Sequence, residues 1–255
     1  MRIGTYNVQG FRGYPAEAAA RALGHPDDEA AGAHFARVFE ALRCDILAVQ
    51  EGPSARQMHR VAGLLGYRMA GFSSPLHRPG YLLSRYLIQE THTFTRWRPL
   101  ADRWPFSRMG GTARLQLDDG SRLLVIALHL HPRHERVRRA EAVFVREWLA
   151  AHWSQADQAV VLGDFNCAPD ESIHVLLRDL GFVNAMAAIG GGLQPTYTTT
   201  GAVALALDHI YLSRSLAPAL AGAEVIRQPG FWHAGPLSPG AWLHSDHLPV
   251  VAEVG

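Results

Sequence analysis

The chain has 255 residues, with 24 Lys and Arg against 23 Asp and Glu, and 48% of its residues are hydrophobic. This composition is typical of a globular protein and excludes a disordered, collagen-like or fibrous chain. The net charge of +1 gives no general attraction to nucleic acid or to an anionic membrane, so binding to a polyanion would need a local patch. Only two cysteines occur, so no disulfide framework is expected. No signal peptide and no apolar run long enough to cross a bilayer is visible, so we expect a cytoplasmic protein.

Strand-like and helix-like segments alternate along the first half of the chain. Predicted helices cover residues 28–42 and 54–65, the second with Ser54 as its N-cap. Predicted strands cover residues 2–8, 45–50, 80–84 and 87–94. The turn sequence Asp-Asp-Gly-Ser at 118–121 predicts a hairpin between strands at 114–117 and 123–128, so at least one pair of strands is antiparallel.

The second half continues the same alternation. A helix is predicted over 135–151, with Val137, Ala140, Phe144 and Trp148 on its apolar stripe. A further helix is predicted over 171–180, and strands over 158–162, 205–212 and 248–254. No flexible linker or run of charge divides the chain, so residues 1–255 are predicted to form a single α/β domain with a mixed sheet.

Polar side chains stand at the ends of the predicted apolar strands, where core packing cannot explain them. There are six such places along the chain: Asn7, Gln50 with Glu51, His129 with His131, Asp164 with Asn166, Asp208 with His209, and Ser245 to His247. Burying a carboxylate is costly unless it is paired or binds a metal. We therefore expect these strands to deliver their ends to one cleft.

The types of side chain in this set limit the chemistry. The sequence has no Cys-x-x-Cys for a structural zinc site, no glycine-rich nucleotide-binding motif and no Gly-x-Ser-x-Gly elbow. Carboxylates with an asparagine suit a hard cation such as Mg²⁺ or Mn²⁺. Histidines add proton transfer and positive charge beside phosphate oxygens. The residues alone therefore indicate a metal-dependent phosphohydrolase.

Six short motifs carry a family resemblance. In chain order they are Thr5-Tyr6-Asn7-Val8, Val49-Gln50-Glu51, Leu128-His129-Leu130, Gly163-Asp164-Phe165-Asn166, Leu207-Asp208-His209-Ile210 and Ser245-Asp246-His247-Leu248-Pro249-Val250. Together they resemble the endonuclease/exonuclease/phosphatase superfamily over nearly the whole chain. The resemblance implies a deoxyribonuclease-like α/β fold, a four-layer sandwich of two mixed β-sheets flanked by helices, with the site at one edge of the sheet pair.

The resemblance also implies where a metal binds. Glu51 matches the glutamate that binds Mg²⁺ or Mn²⁺ in the superfamily, and Asn7 matches the asparagine beside that metal. Asp246 matches a second carboxylate at or near the metal. The ion would neutralise phosphate charge and stabilise the leaving oxygen.

Five further matches imply catalytic roles. Asp208 would orient His247, which would contact the phosphate or act on the attacking water. Asp164 would align or deprotonate that water. Asn166 and His129 would contact the phosphate. Of the remaining histidines, His131 has a solvated loop as an equal alternative, and His209 is expected to be structural or at the rim of the site, not catalytic.

The substrate is less well defined than the reaction. Nucleic acid is the first expectation because most members of the superfamily act on it, and a phospholipid or small soluble phosphoester is the second. Arg139, Trp232 and Trp242 are expected to bind substrate, with a solvated helix face and packing of loop 227–244 onto the body as the alternatives.

Two further alternatives remain open at this point. The group Trp97, Arg98, Arg103, Trp104 and Arg108 offers a second mixture of aromatic and basic residues, which could bind substrate or pack. A catalytically silent binding module is the functional alternative of another class, and the intact motif set argues against it. No obligate protein partner is evident.

Overall fold

The computed structural model describes residues 1–94, 106–197 and 204–255. Within these residues the strands are β1 (Arg2–Asn7), β2 (Ile46–Gln50), β3 (Arg68–Phe72), β4 (Gly80–Ser84), β5 (Leu87–Thr93), β6 (Met109–Gln116), β7 (Arg122–His129), β8 (Gln158–Asp164), β9 (Val183–Asn184), β10 (Asp208–Leu212), β11 (Leu220–Val225) and β12 (Val250–Val254). The α-helices are α1 (Ala16–Leu23), α2 (Glu29–Leu42), α3 (Ala55–Leu65), α4 (Glu135–His152), α5 (Ser172–Asp179) and α6 (Ala185–Ile189). The predicted alternation of strands and helices is thus present.

The described strands form two mixed sheets of six strands each. The first has the order β11-β12-β1-β2-β4-β3 and the second the order β5-β6-β7-β8-β10-β9. Among the described pairings, β1 with β2 and β7 with β8 are parallel, and the others are antiparallel. The predicted hairpin is the β6–β7 pair. The prediction of two mixed sheets is confirmed.

The sheets pack against each other and carry helices on their outer faces. Strand β7 shows the arrangement, because its side chains alternate between two cores. Leu123, Val125 and Ala127 belong to a core shared with β1, β2 and the helix α2. The intervening residues Leu124 and Ile126 belong to a second core formed with α4 and α5. The predicted four-layer sandwich is therefore confirmed, whereas the extent of a single domain over residues 1–255 stays a prediction.

The buried face of α4 differs from its prediction. The face that packs inward consists of Arg138, Glu141, Ala142, Val145 and Leu149. Ala140, which was expected on that face, is exposed, and Phe144 and Trp148 are only partly buried. Two charged residues occupy the buried face because each has partners: Arg138 pairs with Glu171, and Glu141 accepts hydrogen bonds from backbone N–H groups. A pattern of apolar residues alone cannot detect a face of this kind.

Other differences lie in short or irregular segments. Strands β3, β9 and β11 and helix α6 were not predicted. The predicted strand at 205–212 begins only at Asp208, because Leu205 forms an isolated bridge with Tyr197. Trp97, Arg98, Arg103 and Trp104 lie outside the described residues. Of the helices in the described part of the chain, none combines the length and apolarity needed to cross a membrane.

Candidate active site

The ends of five strands meet where the two sheets pack together. In the first sheet, parallel pairing places Asn7 beside Gln50, so that Glu51 follows directly. In the second sheet, His129 pairs with Asp164, which in turn lies opposite Asp208. Asn7 joins the two sheets, because its side-chain Nδ2 donates to Asp164 Oδ2 at 3.0 Å. The strand topology therefore assembles residues that are far apart in the sequence.

Uncommon backbone conformations set the direction of several of these side chains. Glu51 and Asn166 have positive φ angles, 48° and 51°, which are uncommon for residues with a side chain. Gly163 has φ 143°, and a Cβ atom there would overlap the carbonyl oxygen of Leu128. Glycine is therefore required immediately before Asp164. Uncommon backbone conformations of this kind are concentrated at functional sites.

A buried network of two carboxylates and one histidine forms the centre of the cluster. His247 Nδ1 lies 2.8 Å from Asp208 Oδ2, and His247 Nε2 lies 3.8 Å from Asp164 Oδ2. Burial alone disfavours the imidazolium, but the charges of Asp208 and Asp164 outweigh it and raise the pKa of His247 to about 10. Burial raises the pKa of Asp164 to about 7, with the positive charge of His247 opposing that rise. The network thus contains a histidine cation and a carboxyl group whose pKa is close to neutral pH.

Asn166 and His129 border this network. The backbone N–H of Asn166 donates to Asp164 Oδ1 at 3.0 Å, and its side-chain Nδ2 donates to Leu130 O at 3.1 Å. His129 Nε2 lies 3.6 Å from Asp164 Oδ2 and 3.8 Å from Glu51 Oε1, which is beyond hydrogen-bonding distance. Burial and the nearby charges of Arg108, His247 and Arg78 keep the pKa of His129 well below its usual value. His129 is therefore neutral and can donate or accept one hydrogen bond at the centre.

Glu51 and Asp246 bring carboxylates to the open side of the cluster. Glu51 Oε2 forms an ion pair with Arg78. Asp246 Oδ2 accepts a hydrogen bond from Gln9 Nε2 at 3.3 Å, and the backbone N–H of Gln9 donates to Asn7 Oδ1 at 3.1 Å. Glu51, Asp246 and Asn7 therefore lie along one wall and present oxygen atoms, the donors that hard cations prefer.

A metal ion has two candidate positions among the described residues. One ligand atom each from Asp164, Asp208 and His247 lies within 4.8 Å of the other two, so this group could hold a metal. A metal-binding imidazole must be neutral, however, and the charges of Asp208 and Asp164 raise the pKa of His247 to about 10. The wall formed by Glu51, Asp246 and Asn7 offers oxygen ligands and leaves the contact between His247 and Asp208 in place.

A cleft of about 1060 Å³ opens from the cluster. Asn7, Glu51, Asp246 and His247 are among the residues that line it. The lining also comprises Arg12 and Arg78, small residues of α1 (Ala16, Ala19 and Ala20), and the segment 24–27 that ends at Asp27. The cleft is large enough for an organic group attached to a phosphate.

The three residues expected to bind substrate lie elsewhere. Arg139 is exposed on α4 and pairs with Glu135 one turn earlier. Trp232 packs against the core of the first sheet, and Trp242 packs against the ring of His34. Among the described residues, the lining of the cleft includes none of these three. The structure thus brings together eight of the eleven predicted site residues, and for these three it favours the packing and solvated-surface alternatives.

The two remaining histidines have different surroundings. His131 is partly exposed in the segment between β7 and α4, where its Nδ1 accepts hydrogen bonds from the backbone N–H groups of Arg133 and His134 at 3.1 and 3.0 Å, and this position agrees with the solvated-loop alternative. His209 is buried behind the site, with its Nε2 3.0 Å from Ala206 O. Its position agrees with the structural role expected for it.

Sequence reasoning missed three contributors to the site. Gln9 links Asn7 to Asp246, Arg78 pairs with Glu51, and Glu141 holds two segments beside His129. A signal existed for Arg78 alone. Arg78 lies two residues before the predicted strand at 80–84, and antiparallel pairing of that strand with β2 places the start of the strand beside Glu51.

The fold and the cluster define a class of protein, the α/β sandwich enzymes that hydrolyse phosphoesters at the shared edge of two sheets. A model of the Endonuclease/Exonuclease/phosphatase family matches residues 4–238. The chain therefore belongs to this family, whose members act on phosphoester bonds and generally depend on a divalent metal.

Solved structures of low sequence identity share the fold. A mannosyl-6-phosphatase from Bacteroides thetaiotaomicron is 18% identical with a TM-score of 0.76, covering 100% of this chain and 99% of that chain. A 3′ phosphatase from Neisseria, bound to a product DNA hairpin, is 19% identical with a TM-score of 0.70 and the same coverage. Truncated TDP2 from Caenorhabditis elegans is 16% identical with a TM-score of 0.69, covering 98% and 96%. No relative among proteins of curated function matches the sequence.

Proposed function

We propose that this protein is a divalent-metal-dependent phosphoester hydrolase in which a water molecule attacks phosphorus in line. The observation that carries the proposal is the buried network of Asp208, His247 and Asp164 beside the carboxylate wall of the cleft. The positively charged His247, which Asp208 holds in place, can bind a phosphate. The carboxyl group of Asp164, whose pKa is close to neutral pH, can activate a water molecule beside it.

Mg²⁺ or Mn²⁺ fits the oxygen atoms of Glu51, Asp246 and Asn7. These three residues present oxygen ligands, and oxygen ligands favour hard cations over zinc or copper. Asn7 Oδ1 accepts one backbone hydrogen bond and keeps a second lone pair for a ligand. When bound, the ion would neutralise phosphate charge and the charge that develops on the leaving oxygen.

The remaining roles follow from the contacts of each side chain. Asp164 is the group that aligns the water and accepts its proton, and the hydrogen bond from Asn7 fixes its orientation. His247, held by Asp208, places positive charge on the phosphate. Neutral His129 and the amide of Asn166 complete the set as hydrogen-bond donors to phosphate oxygens.

Nucleic acid is the first substrate class that we propose. Arg12 and Arg78 line the cleft beside the carboxylate wall, and these side chains can contact phosphates next to the scissile one. The 3′ phosphatase from Neisseria, solved with a DNA hairpin, supports this class by its shared fold.

A small phosphoester is the second candidate, and a different observation favours it. The cleft lining also includes three alanines of α1 and the carboxylate of Asp27, which would repel a further phosphate and accept a hydroxyl or amine. The mannosyl-6-phosphatase supports this class by its shared fold.

Hydrolysis assays would test the proposal. Bis-p-nitrophenyl phosphate, p-nitrophenyl phosphate and a DNA oligonucleotide with a 3′ phosphate would each be incubated with Mg²⁺, Mn²⁺ or EDTA. We expect metal-dependent turnover that Asp164→Asn reduces by at least about 10³-fold, whereas Asp118→Asn in the hairpin turn leaves it unchanged. Full activity of Asp164→Asn would end the assignment of Asp164. No turnover of any substrate by folded protein would favour the binding-module alternative.

A further inference from the structure

Arg78 forms an ion pair with Glu51, a carboxylate that we propose as a metal ligand. Its guanidinium forms an ion pair with Glu51 Oε2, and the Glu51 side chain is only 14% exposed. The backbone N–H of Gly52 donates to Pro79 O at 2.8 Å, so the chain next to Arg78 is fastened to the chain next to Glu51. The ion pair is therefore built into the pairing of β2 with β4.

The charges around Arg78 leave it little else to pair with. Burial lowers the pKa of Arg78, and the positive charges of Arg108 and Arg12 lower it further. The negative charge of Asp246 opposes this and favours the cation. The groups that stabilise Arg78 are thus Glu51 and Asp246, the same two carboxylates that face the cleft.

We infer that Arg78 is the counter-ion of the metal-free site, and that it competes with the divalent cation for Glu51 and is released to the substrate phosphate when the cation binds. The inference rests on the proposed function. A guanidinium and a divalent ion on one carboxylate would place three positive charges within a few ångströms, so one must leave. The guanidinium can move by side-chain rotation, since Arg78 is 43% exposed and lines the cleft.

The released guanidinium has a chemically equivalent partner in the substrate. The planar fork of N–H donors that fits a carboxylate also fits two oxygens of a phosphate. Metal entry and phosphate capture are then coupled, because the metal frees the arginine that the phosphate needs. A lysine would keep the charge but lose the fork.

The first experiment measures binding of Mn²⁺ alone by titration calorimetry, with no substrate present. We expect Arg78→Ala to bind Mn²⁺ about tenfold more tightly than the wild type, because the competing cation is gone. Arg146→Ala is the control, since it removes an exposed arginine of α4 that is not part of the cleft lining, and it should stay within about twofold of the wild type. Glu51→Gln should lose most of the binding.

The results separate failure of the inference from failure of the proposed function. Binding that depends on Glu51 but is equal in the wild type and in Arg78→Ala would overturn the competition and leave the metal site standing. Equal binding by the wild type and by Glu51→Gln would overturn the proposed metal site and the inference with it. Thermal melting of each variant confirms that the compared proteins are folded.

A second arm tests the release to phosphate. Inorganic phosphate is titrated into protein saturated with Mn²⁺, and Arg78→Ala should bind it about tenfold more weakly than the wild type. Arg78→Lys should fall between the two. Phosphate affinity that is unchanged in Arg78→Ala would overturn the release step.

Discussion

Substitution of Glu141 tests how the surrounding structure supports the site, because the Glu141 carboxylate joins two segments that border the cluster. Its Oε1 accepts hydrogen bonds from Ser107 N at 2.9 Å and Ser107 Oγ at 2.8 Å, and its Oε2 accepts one from His131 N at 3.1 Å. The residue is 1% exposed. Ser107 adjoins Arg108, and His131 follows His129 by two positions, so Glu141 fixes the neighbours of both.

Glu141→Gln keeps the size of the side chain and removes one acceptor. The new NH₂ group must face either the N–H of Ser107 or that of His131, and that backbone donor then lacks a partner. A buried unsatisfied donor costs roughly 1–3 kcal/mol, so we expect the free energy of unfolding to fall by about 2 kcal/mol. Because the segment carrying His129 loosens, kcat/KM should fall about tenfold.

Urea denaturation followed by tryptophan fluorescence measures the first effect, and hydrolysis of bis-p-nitrophenyl phosphate measures the second. Glu147→Gln is the control, because Glu147 lies on the same helix and is exposed. If the free energies of unfolding of Glu141→Gln and Glu147→Gln agreed within about 0.5 kcal/mol, the three hydrogen bonds would not contribute measurably to stability.

Three further predictions concern the scaffold. Gly163→Ala should lower the free energy of unfolding by about 3 kcal/mol or more, because a Cβ meets Leu128 O at a positive φ angle; an unchanged urea midpoint would contradict this. Ser54→Ala should cost about 1 kcal/mol in the same assay, since Ser54 Oγ accepts from Gln57 N at the start of α3, and a cost near zero would mean that water replaces the cap. Burial lowers the pKa of His174 to about 4, so between that pH and about 6.5 only the unfolded chain binds this proton, and stability falls as the pH drops. His174→Gln should therefore retain about 2 kcal/mol of unfolding free energy that the wild type loses between pH 7.5 and 5. Equal losses of unfolding free energy in the two proteins would refute the assignment of this pH dependence to His174.

The sequence predicted the site better than the packing around it. Asn7, Asp164 and Asp208 were identifiable because a polar residue at the end of an apolar strand has few structural explanations, and the parallel strands then place such ends together. Periodicity also located the long helices α2 and α4 to within a residue or two.

What could not be predicted depends on contacts between distant segments. Arg138 and Glu141 read as surface residues in the helical pattern, and only their partners in other segments make their burial possible. The aromatic rings of Trp232 and Trp242 suit a substrate or a core equally well, and only the fold decides between them. The edge strands β3, β9 and β11 are short or irregular, and their hydrogen bonds to neighbouring strands define them more than their own residues do.

The pairing of β1 with β12 has a consequence for synthesis of the protein. Arg2 pairs with Glu253, so β1 stays without one neighbour until β12 is made. At about 5–20 residues per second, a ribosome needs roughly 10–50 s to make the chain between these two strands. Asp246 and His247 lie shortly before β12, so a nascent chain carries no complete site during most of that interval. Activity should therefore appear only after β12 has been made, and the exposed edge of β1 is the surface that a chaperone would have to cover until then.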